Sequence, residues 1–95
     1  MEYLENLGIS NEMIDELKDN TPEKLLNLLE TNEKLVSANI NYLRELGIEK
    51  YPEILVRYPD MFLMDNSNFT EIFAKYEVAD LIDKINKNVG IVEFL

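Results

Sequence analysis

The sequence predicts an all-α fold, arranged as a short right-handed α-solenoid of about seven short helices. Apolar residues recur at helical spacing along nearly the whole chain, with glycine and proline where short helices would end and begin. One apolar frame, Tyr-Leu-x-x-Leu-Gly-Ile, occurs twice, beginning at Tyr3 and at Tyr42. We therefore expect the 95 residues to form one helical-repeat domain with units at about 1–32, 33–67 and 68–95.

The first unit opens with this frame and predicts three short helices. Gly8 follows a helical leucine, where a residue with positive φ closes the last turn at little cost. Ser10 is placed to cap a second helix that begins at Asn11. Thr21 and Pro22 then supply an N-cap hydroxyl and a proline for the first helical position, opening a third helix with the sequence PEKLLNLLE.

The second unit repeats the pattern with a longer first helix, from about Glu33 to Leu46. Its apolar residues fall on one broad stripe: Leu35, Val36, Ile40, Tyr42, Leu43 and Leu46. Gly47 is predicted to end this helix as Gly8 ends the first one. Pro59 precedes an apolar pair, as Pro22 does in the first unit.

The third unit is a degenerate copy without the glycine and the proline. Two stripes at helical spacing predict its helices: Phe69, Ile72, Phe73 and Tyr76, and then Val78, Leu81, Ile82 and Ile85. Val78 falls at the position of Ile48, and Val89 at that of Pro59. A helical unit this small cannot bury its apolar face alone and needs a stacked neighbour, which explains why the frame recurs.

The segment Asn39 to Asp65, NINYLRELGIEKYPEILVRYPDMFLMD, resembles the mitochondrial transcription termination factor (mTERF) family through its Leu-Gly-Ile and the later Pro-x-x-apolar. The likeness is fainter in Tyr3 to Leu29 and in Phe73 to Phe94. It implies repeats of two helices and a short third turn, stacked in a curved solenoid. It also implies that basic residues on the concave side bind double-stranded nucleic acid to regulate organellar transcription or translation. The residues it would assign to that role are Arg44, Lys50 and Arg57.

The charge of the chain favours a protein partner over nucleic acid. The net charge is −10, so long-range forces repel phosphate and anionic lipid and favour basic partners. Arg57, Lys75, Lys84 and Lys87 each follow an acidic residue four positions earlier and are predicted to pair with it along a helix. Few Lys and Arg side chains are therefore expected to be free to contact nucleic-acid phosphates. For this reason nucleic-acid binding is the alternative function and not the first one.

The segment YPDMFLM, Tyr58 to Met64, is the predicted contact surface for a protein partner. Four consecutive apolar residues of a helix cannot all face one core. If Phe62 and Leu63 are core, then Met61 and Met64 cover a neighbouring unit or meet a partner, a role that flexible thioethers suit. The full predicted set of partner-binding residues is Arg44, Tyr51, Arg57, Tyr58, Met61 and Met64.

The C-terminal segment IVEFL, Ile91 to Leu95, is apolar where a solenoid favours a polar cap. It either folds back as the last cap or pairs with a second copy of the chain in a homodimer. Both alternatives remain open at the level of the sequence.

The residue inventory predicts a protein that is not an enzyme and uses no cofactor or metal. The chain has neither cysteine nor histidine, which removes disulfides, the usual zinc ligands and the Cys/His and Ser/His catalytic pairs. Acidic clusters such as Asp80 with Asp83, or the group Asp15, Glu16 and Asp19, could supply an acid and a base or bind a divalent ion. Solvated helix faces account for them more simply.

The sequence also predicts a cytoplasmic protein with no membrane contact. The longest apolar runs have four residues, far fewer than the roughly 20 that a membrane helix needs. The first residues, MEYLENLG, have neither the basic start of a signal peptide nor the Arg/Ser-rich character of a transit peptide.

Overall fold

The computed structural model describes all 95 residues, and its secondary structure consists only of helices, which confirms the all-α class. The seven α-helices are α1 (Glu2–Asn6), α2 (Asn11–Asn20), α3 (Glu23–Thr31), α4 (Glu33–Leu46), α5 (Tyr51–Arg57), α6 (Asn66–Ala74) and α7 (Val78–Lys87). Two 3-10 helices follow α5 and α7: the central 3-10 helix (Pro59–Leu63) and the C-terminal 3-10 helix (Val89–Phe94). The order of two α-helices and then a third helix thus occurs three times.

Helices at equivalent places in successive thirds of the chain pack against one another. Helix α4 contacts both α1 and α6, α2 packs on α5, and α3 packs on the central 3-10 helix. The C-terminal 3-10 helix packs on α7 and α5. The result is a compact globule of 34 × 25 × 23 Å, whose radius of gyration of 12.6 Å is typical of a single domain of this length.

One continuous core of 18 buried apolar residues runs through all three thirds of the chain. Its centre is aromatic. The ring of Phe69 lies 5.2 Å from those of both Phe62 and Phe73, measured between centroids, and Tyr42 meets Phe69 edge-on at 6.4 Å. These pairs join α4, the central 3-10 helix and α6, and aromatic pairs at such distances add to the stability gained from burial.

The local signals for helix ends are confirmed at three places. Gly8 and Gly47 both have φ of 87°, the left-handed conformation that closes a helix, and each follows a helix as predicted. The hydroxyl of Ser10 accepts a hydrogen bond from the Met13 amide at 3.2 Å and caps α2. These features depend on neighbouring residues, and so the sequence alone was sufficient to predict them.

The predicted start of α3 is wrong by one position. Pro22 is the N-cap residue, with ψ of 145°, and α3 begins at Glu23. The Thr21 hydroxyl makes no capping hydrogen bond, because Thr21 is the extended residue that ends α2 and its side chain is buried. The Pro22 carbonyl still accepts the first helical hydrogen bonds, from the Leu25 and Leu26 amides.

The match between Val78 and Ile48 is also wrong. Ile48 is buried, whereas Val78 is 44% exposed at the first position of α7. Gly47 turns the chain with a positive φ and directs Ile48 into the core. Glu77 instead has φ of −68° and leads straight into α7, so the next side chain stays outside. The match at Val89 fits the structure, since Val89 and Pro59 each begin a 3-10 helix.

Candidate interaction surfaces

Asn39 fixes the position of the predicted partner-binding segment. This fully buried side chain of α4 donates from Nδ2 to the carbonyl oxygens of Phe62 at 2.9 Å and Met64 at 3.0 Å. Its Oδ1 accepts a hydrogen bond from Asn66 Nδ2 at 2.9 Å. One amide thereby satisfies the end of the central 3-10 helix and connects it to the first turn of α6. Sequence reasoning missed Asn39, although a polar residue within the apolar stripe of α4 was a usable signal.

Met61 and Met64 do not form an exposed apolar patch. Both are half-buried and pack against the core, next to the fully buried Phe62. A 3-10 helix has about three residues per turn, so successive side chains point in three directions around its axis. Phe62 points inward, and Met61 and Met64 pack at the edge of the core.

Arg44 and Tyr51 already contact each other, and Tyr51 also contacts the first third of the chain. The Arg44 guanidinium lies 5.8 Å from the Tyr51 ring centroid, a cation–π distance, and Nη1 donates to Asn41 Oδ1 at 3.3 Å. The Tyr51 hydroxyl donates to the Leu7 carbonyl at 2.8 Å, beside Gly8. Tyr51 therefore connects the start of α5 to the turn after α1.

The cations proposed for nucleic acid do not form one cluster. Lys50 precedes α5 and donates from Nζ to the Asn86 carbonyl at 3.0 Å, while Arg57 is the last residue of that helix. The helix separates the two residues by about 10 Å along its axis. Arg44 lies at the Lys50 end, through its contact with Tyr51.

The predicted ion pairs form in one case out of four. Lys87 Nζ lies 3.0 Å from Asp83 Oδ2, whereas Arg57, Lys75 and Lys84 form no ion pair with the acid four positions earlier. Exposed pairs gain little in water, since the attraction barely offsets the ordering of two long side chains. For these three residues the prediction is wrong.

Arg57 and Tyr58 line an open cleft of about 360 Å³ where the first two thirds of the chain meet. We call this the inter-unit cleft. Its lining consists of Glu16, Asn20, Thr21 and Pro22 on one wall and Val56, Arg57, Tyr58 and Pro59 on the other. Acidic Glu16 is on one wall and basic Arg57 on the other. Tyr58 is further positioned by a 3.5 Å hydrogen bond from its hydroxyl to Glu93 Oε2.

The C-terminal segment folds back onto the protein and leaves a second, more apolar cleft beside α7. Val92 is buried, and the Leu95 carbonyl accepts hydrogen bonds from Lys75 Nζ at 3.1 Å and the Tyr76 hydroxyl at 3.4 Å. This arrangement corresponds to the first of the two sequence alternatives, the terminal cap. The chain nevertheless leaves Phe94 82% exposed.

We call this second cleft, of about 270 Å³, the C-terminal groove. Tyr76, Glu77, Asp80, Leu81, Lys84, Ile91, Phe94 and Leu95 line it. The anchoring roles of Lys75 and Tyr76 were not foreseen from the sequence, because both act on a residue about twenty positions away.

Titration of Tyr3 is shifted by its surroundings. Burial raises the pKa of Tyr3 to about 12, and the nearby carboxylates of Glu33 and Glu30 add to the effect. The Tyr3 hydroxyl donates to the Leu29 carbonyl at 2.7 Å. Every buried polar side-chain atom of the chain has a hydrogen-bond partner.

Acidic side chains do not come together in a metal-binding arrangement: no group of three or more is placed to hold an ion. None of the helices is long and apolar enough to cross a membrane. Comparison with protein-family models, curated proteins and solved structures gives no match to this chain. The inter-unit cleft and the C-terminal groove are therefore interpreted from their own geometry and charge.

Proposed function

We propose that this chain is a non-enzymatic helical-repeat module that binds a protein partner at the inter-unit cleft. The observation that carries the proposal is the pairing of Arg57 and Tyr58 on one wall of that cleft with Glu16 on the other. Tyrosine and arginine are the side chains that, with tryptophan, most often dominate binding energy at protein interfaces. Here they lie side by side at the edge of an open recess.

The repeat architecture supports this function. Packing of α1 on α4 and of α4 on α6, with α2 on α5, supports the proposed stacking of successive units, because repeat units of a solenoid contact their neighbours in the chain. The threefold order of two α-helices and a third short helix is also the order that the mTERF resemblance implies. Repeat proteins use the surface formed by adjacent units for binding, and the position of the inter-unit cleft between the first two thirds of the chain supports such a use.

Charge indicates the chemistry of the partner. A net charge of −10 attracts basic segments over long distances, and Glu16 offers such a segment a carboxylate inside the cleft. Arg57 can donate to backbone carbonyls or an acidic side chain of the same segment. Val56 and the ring of Tyr58 supply the apolar contact between these charges.

The experiment begins with peptides selected from a random phage-displayed library on the immobilised 95-residue chain. Affinity of the selected peptides is then measured by fluorescence anisotropy for the wild type and for Arg57→Ala and Tyr58→Ala. Each substitution should weaken binding about tenfold or more, about 1.4 kcal/mol. Lys24→Ala is the matched control, because it removes an exposed cation of α3 outside the cleft. Equal affinity for all four proteins would contradict the proposal.

Nucleic-acid binding is the second candidate function, favoured by the mTERF resemblance and by the presence of Arg44 and Lys50 at one end of α5. Its test is anisotropy of labelled duplex DNA and single-stranded RNA at low and physiological salt. Binding that falls steeply with salt, and that Arg44→Ala or Lys50→Ala weakens, would support this candidate. The absence of binding at low salt would remove it and leave the protein-partner proposal standing.

A further inference from the structure

Thr21, on one wall of the inter-unit cleft, is a buried residue whose polar groups all lack a partner within the protein. Only 7% of the residue is exposed, and Asn39 is the only other buried polar residue of the chain. The Asn39 side chain makes three hydrogen bonds. The Thr21 hydroxyl makes none, and its main-chain N–H and carbonyl take part in no backbone hydrogen bond.

The local conformation explains why these groups stay free. Thr31 and Thr70 lie within helices, and their hydroxyls donate to carbonyl oxygens three or four residues earlier. Thr21 follows the last residue of α2 in an extended conformation, with φ of −113° and ψ of 132°, so neither its hydroxyl nor its amide continues that pattern. Pro22 comes next and has no N–H of its own.

The free hydroxyl of Thr21 opens into the inter-unit cleft. Every side-chain nitrogen or oxygen that is sealed from solvent has a hydrogen-bond partner, so the unpaired Thr21 hydroxyl must reach solvent. Thr21 lines the inter-unit cleft, which is where this small exposed fraction lies. Buried polar groups are almost always paired within the protein or with water. A ligand that offers matching groups can therefore replace water at Thr21.

The free groups of Thr21 match the main chain of an extended peptide. In an antiparallel pair of extended chains, two facing residues exchange both of their N–H···O bonds. Thr21 has the extended conformation and the two free main-chain groups that such an exchange requires. The charged residues of the cleft, Glu16 and Arg57, are opposite in sign and form no ion pair with each other. The cleft therefore has no excess charge that would exclude a peptide.

We propose that Thr21 is the hydrogen-bonding anchor of the inter-unit cleft, and that the ligand is a segment of the partner in extended conformation. The Thr21 N–H donates to a carbonyl of the segment, and the Thr21 carbonyl accepts from the N–H of the same residue. The Thr21 hydroxyl makes a third hydrogen bond with the segment. This inference rests on the proposed function, because it names the form in which the partner enters the same cleft.

Amide hydrogen exchange, measured by NMR on the 95-residue chain with a library-selected peptide as the probe, tests the main-chain bonds. In the free protein the Thr21 amide should exchange fast, since it has no acceptor. Saturating peptide should slow its exchange about tenfold or more. Tyr58 is the matched control on the facing wall: its amide donates to the Ile54 carbonyl at 2.8 Å and should be protected in both states.

N-methylation of the same peptide, one residue at a time, tests the second main-chain bond. The methyl group replaces the N–H that donates to the Thr21 carbonyl, so binding should weaken about tenfold at the residue that faces Thr21. The affinities are measured by fluorescence anisotropy.

Two substitutions at residue 21 test the hydroxyl. Thr21→Val removes the hydroxyl with little change in shape and should weaken peptide binding about fivefold, whereas Thr21→Ser keeps the hydroxyl and should bind as the wild type does. In urea, Thr21→Val should unfold at the same concentration as the wild type or a higher one, because the hydroxyl makes no hydrogen bond within the protein. A purely structural role for Thr21 would instead lower the stability of this variant.

Three results would overturn the inference and leave the proposed function standing, provided that Arg57→Ala and Tyr58→Ala weaken the same peptides. They are a Thr21 amide that the peptide does not protect, a peptide that tolerates N-methylation at every residue, and a Thr21→Val variant that binds as tightly as the wild type. Peptides whose binding none of the three substitutions weakens would overturn the inference and the proposed function together. A library that yields no peptide above background would do the same.

Discussion

Gly8 and Tyr51 are in such close contact that a Cβ atom at residue 8 would lie 2.5 Å from the Tyr51 hydroxyl oxygen. The two residues are 43 positions apart, and the hydroxyl is held there by its hydrogen bond to the Leu7 carbonyl. Glycine is therefore needed at residue 8 for two reasons. It adopts a φ of 87° without strain, and it leaves room for the Tyr51 hydroxyl where other residues have a Cβ. Gly47 has the same φ, but the nearest atom to its added Cβ would be Ile82 Cδ1 at 3.5 Å, an ordinary contact.

Gly8→Ala should accordingly lower the free energy of unfolding more than Gly47→Ala does. The expected losses are about 1 kcal/mol at Gly47, from the left-handed conformation alone, and about 2 kcal/mol or more at Gly8. Urea unfolding measures both. In a Tyr51→Phe background, the loss at Gly8 should fall to that at Gly47, because the clashing oxygen is gone. Equal losses in the wild-type background would show that Tyr51 moves aside freely.

Asn39→Ala should destabilise the protein by about 2 to 3 kcal/mol. The substitution leaves the Phe62 and Met64 carbonyls without their shared donor at a buried site, where an unsatisfied polar group is costly. Asn27→Ala, an exposed change on α3, is the control and should cost less than about 0.5 kcal/mol. Similar unfolding midpoints for the two variants would mean that Asn39 does not hold the central 3-10 helix.

Tyr3 should make the protein less stable as pH rises from about 10 to about 12. Its pKa is raised from 10.0 to about 12 in the folded protein, so over this window the unfolded chain loses the proton first and unfolding is favoured. The Tyr3→Phe variant has no hydroxyl proton to lose, so its stability lacks this dependence on pH. The stability of the wild type relative to Tyr3→Phe, measured by urea unfolding at several pH values, should be constant below pH 10 and fall above it. A constant difference across the window would contradict the shifted pKa.

Met61 and Met64 should behave as packing residues in the isolated protein. Replacing both with alanine should lower the free energy of unfolding by about 1 to 3 kcal/mol, below the roughly 3 to 5 kcal/mol expected for the fully buried Phe62→Ala. Leu28→Ala serves as the exposed comparison and should have little effect. A double variant as stable as the wild type would show that the two methionines do not stabilise the fold, and they would again be candidates for contact with a partner.

Sequence reasoning was most successful where the deciding interactions are local. The helical class, the glycine ends at Gly8 and Gly47 and the cap at Ser10 depend on residues within one or two turns of each other. The ion pairs were also local predictions, but three of the four do not form, because water competes with exposed charges and spacing alone does not determine whether they meet.

By itself, therefore, the sequence determined that the chain is helical, that helices end before Gly8 and Gly47, and that Ser10 caps α2. Tertiary structure decided which stripes meet, how Asn39 reaches the main chain 23 residues away, and where Tyr51 contacts the turn at Leu7 across 44 residues. It also decided that the last five residues fold back while Phe94 stays outside. The physical reason is that hydrophobic burial has no direction of its own, so a periodic pattern marks an apolar face without specifying its neighbour. Only packing and hydrogen bonds between distant segments select that neighbour, and with it the two clefts.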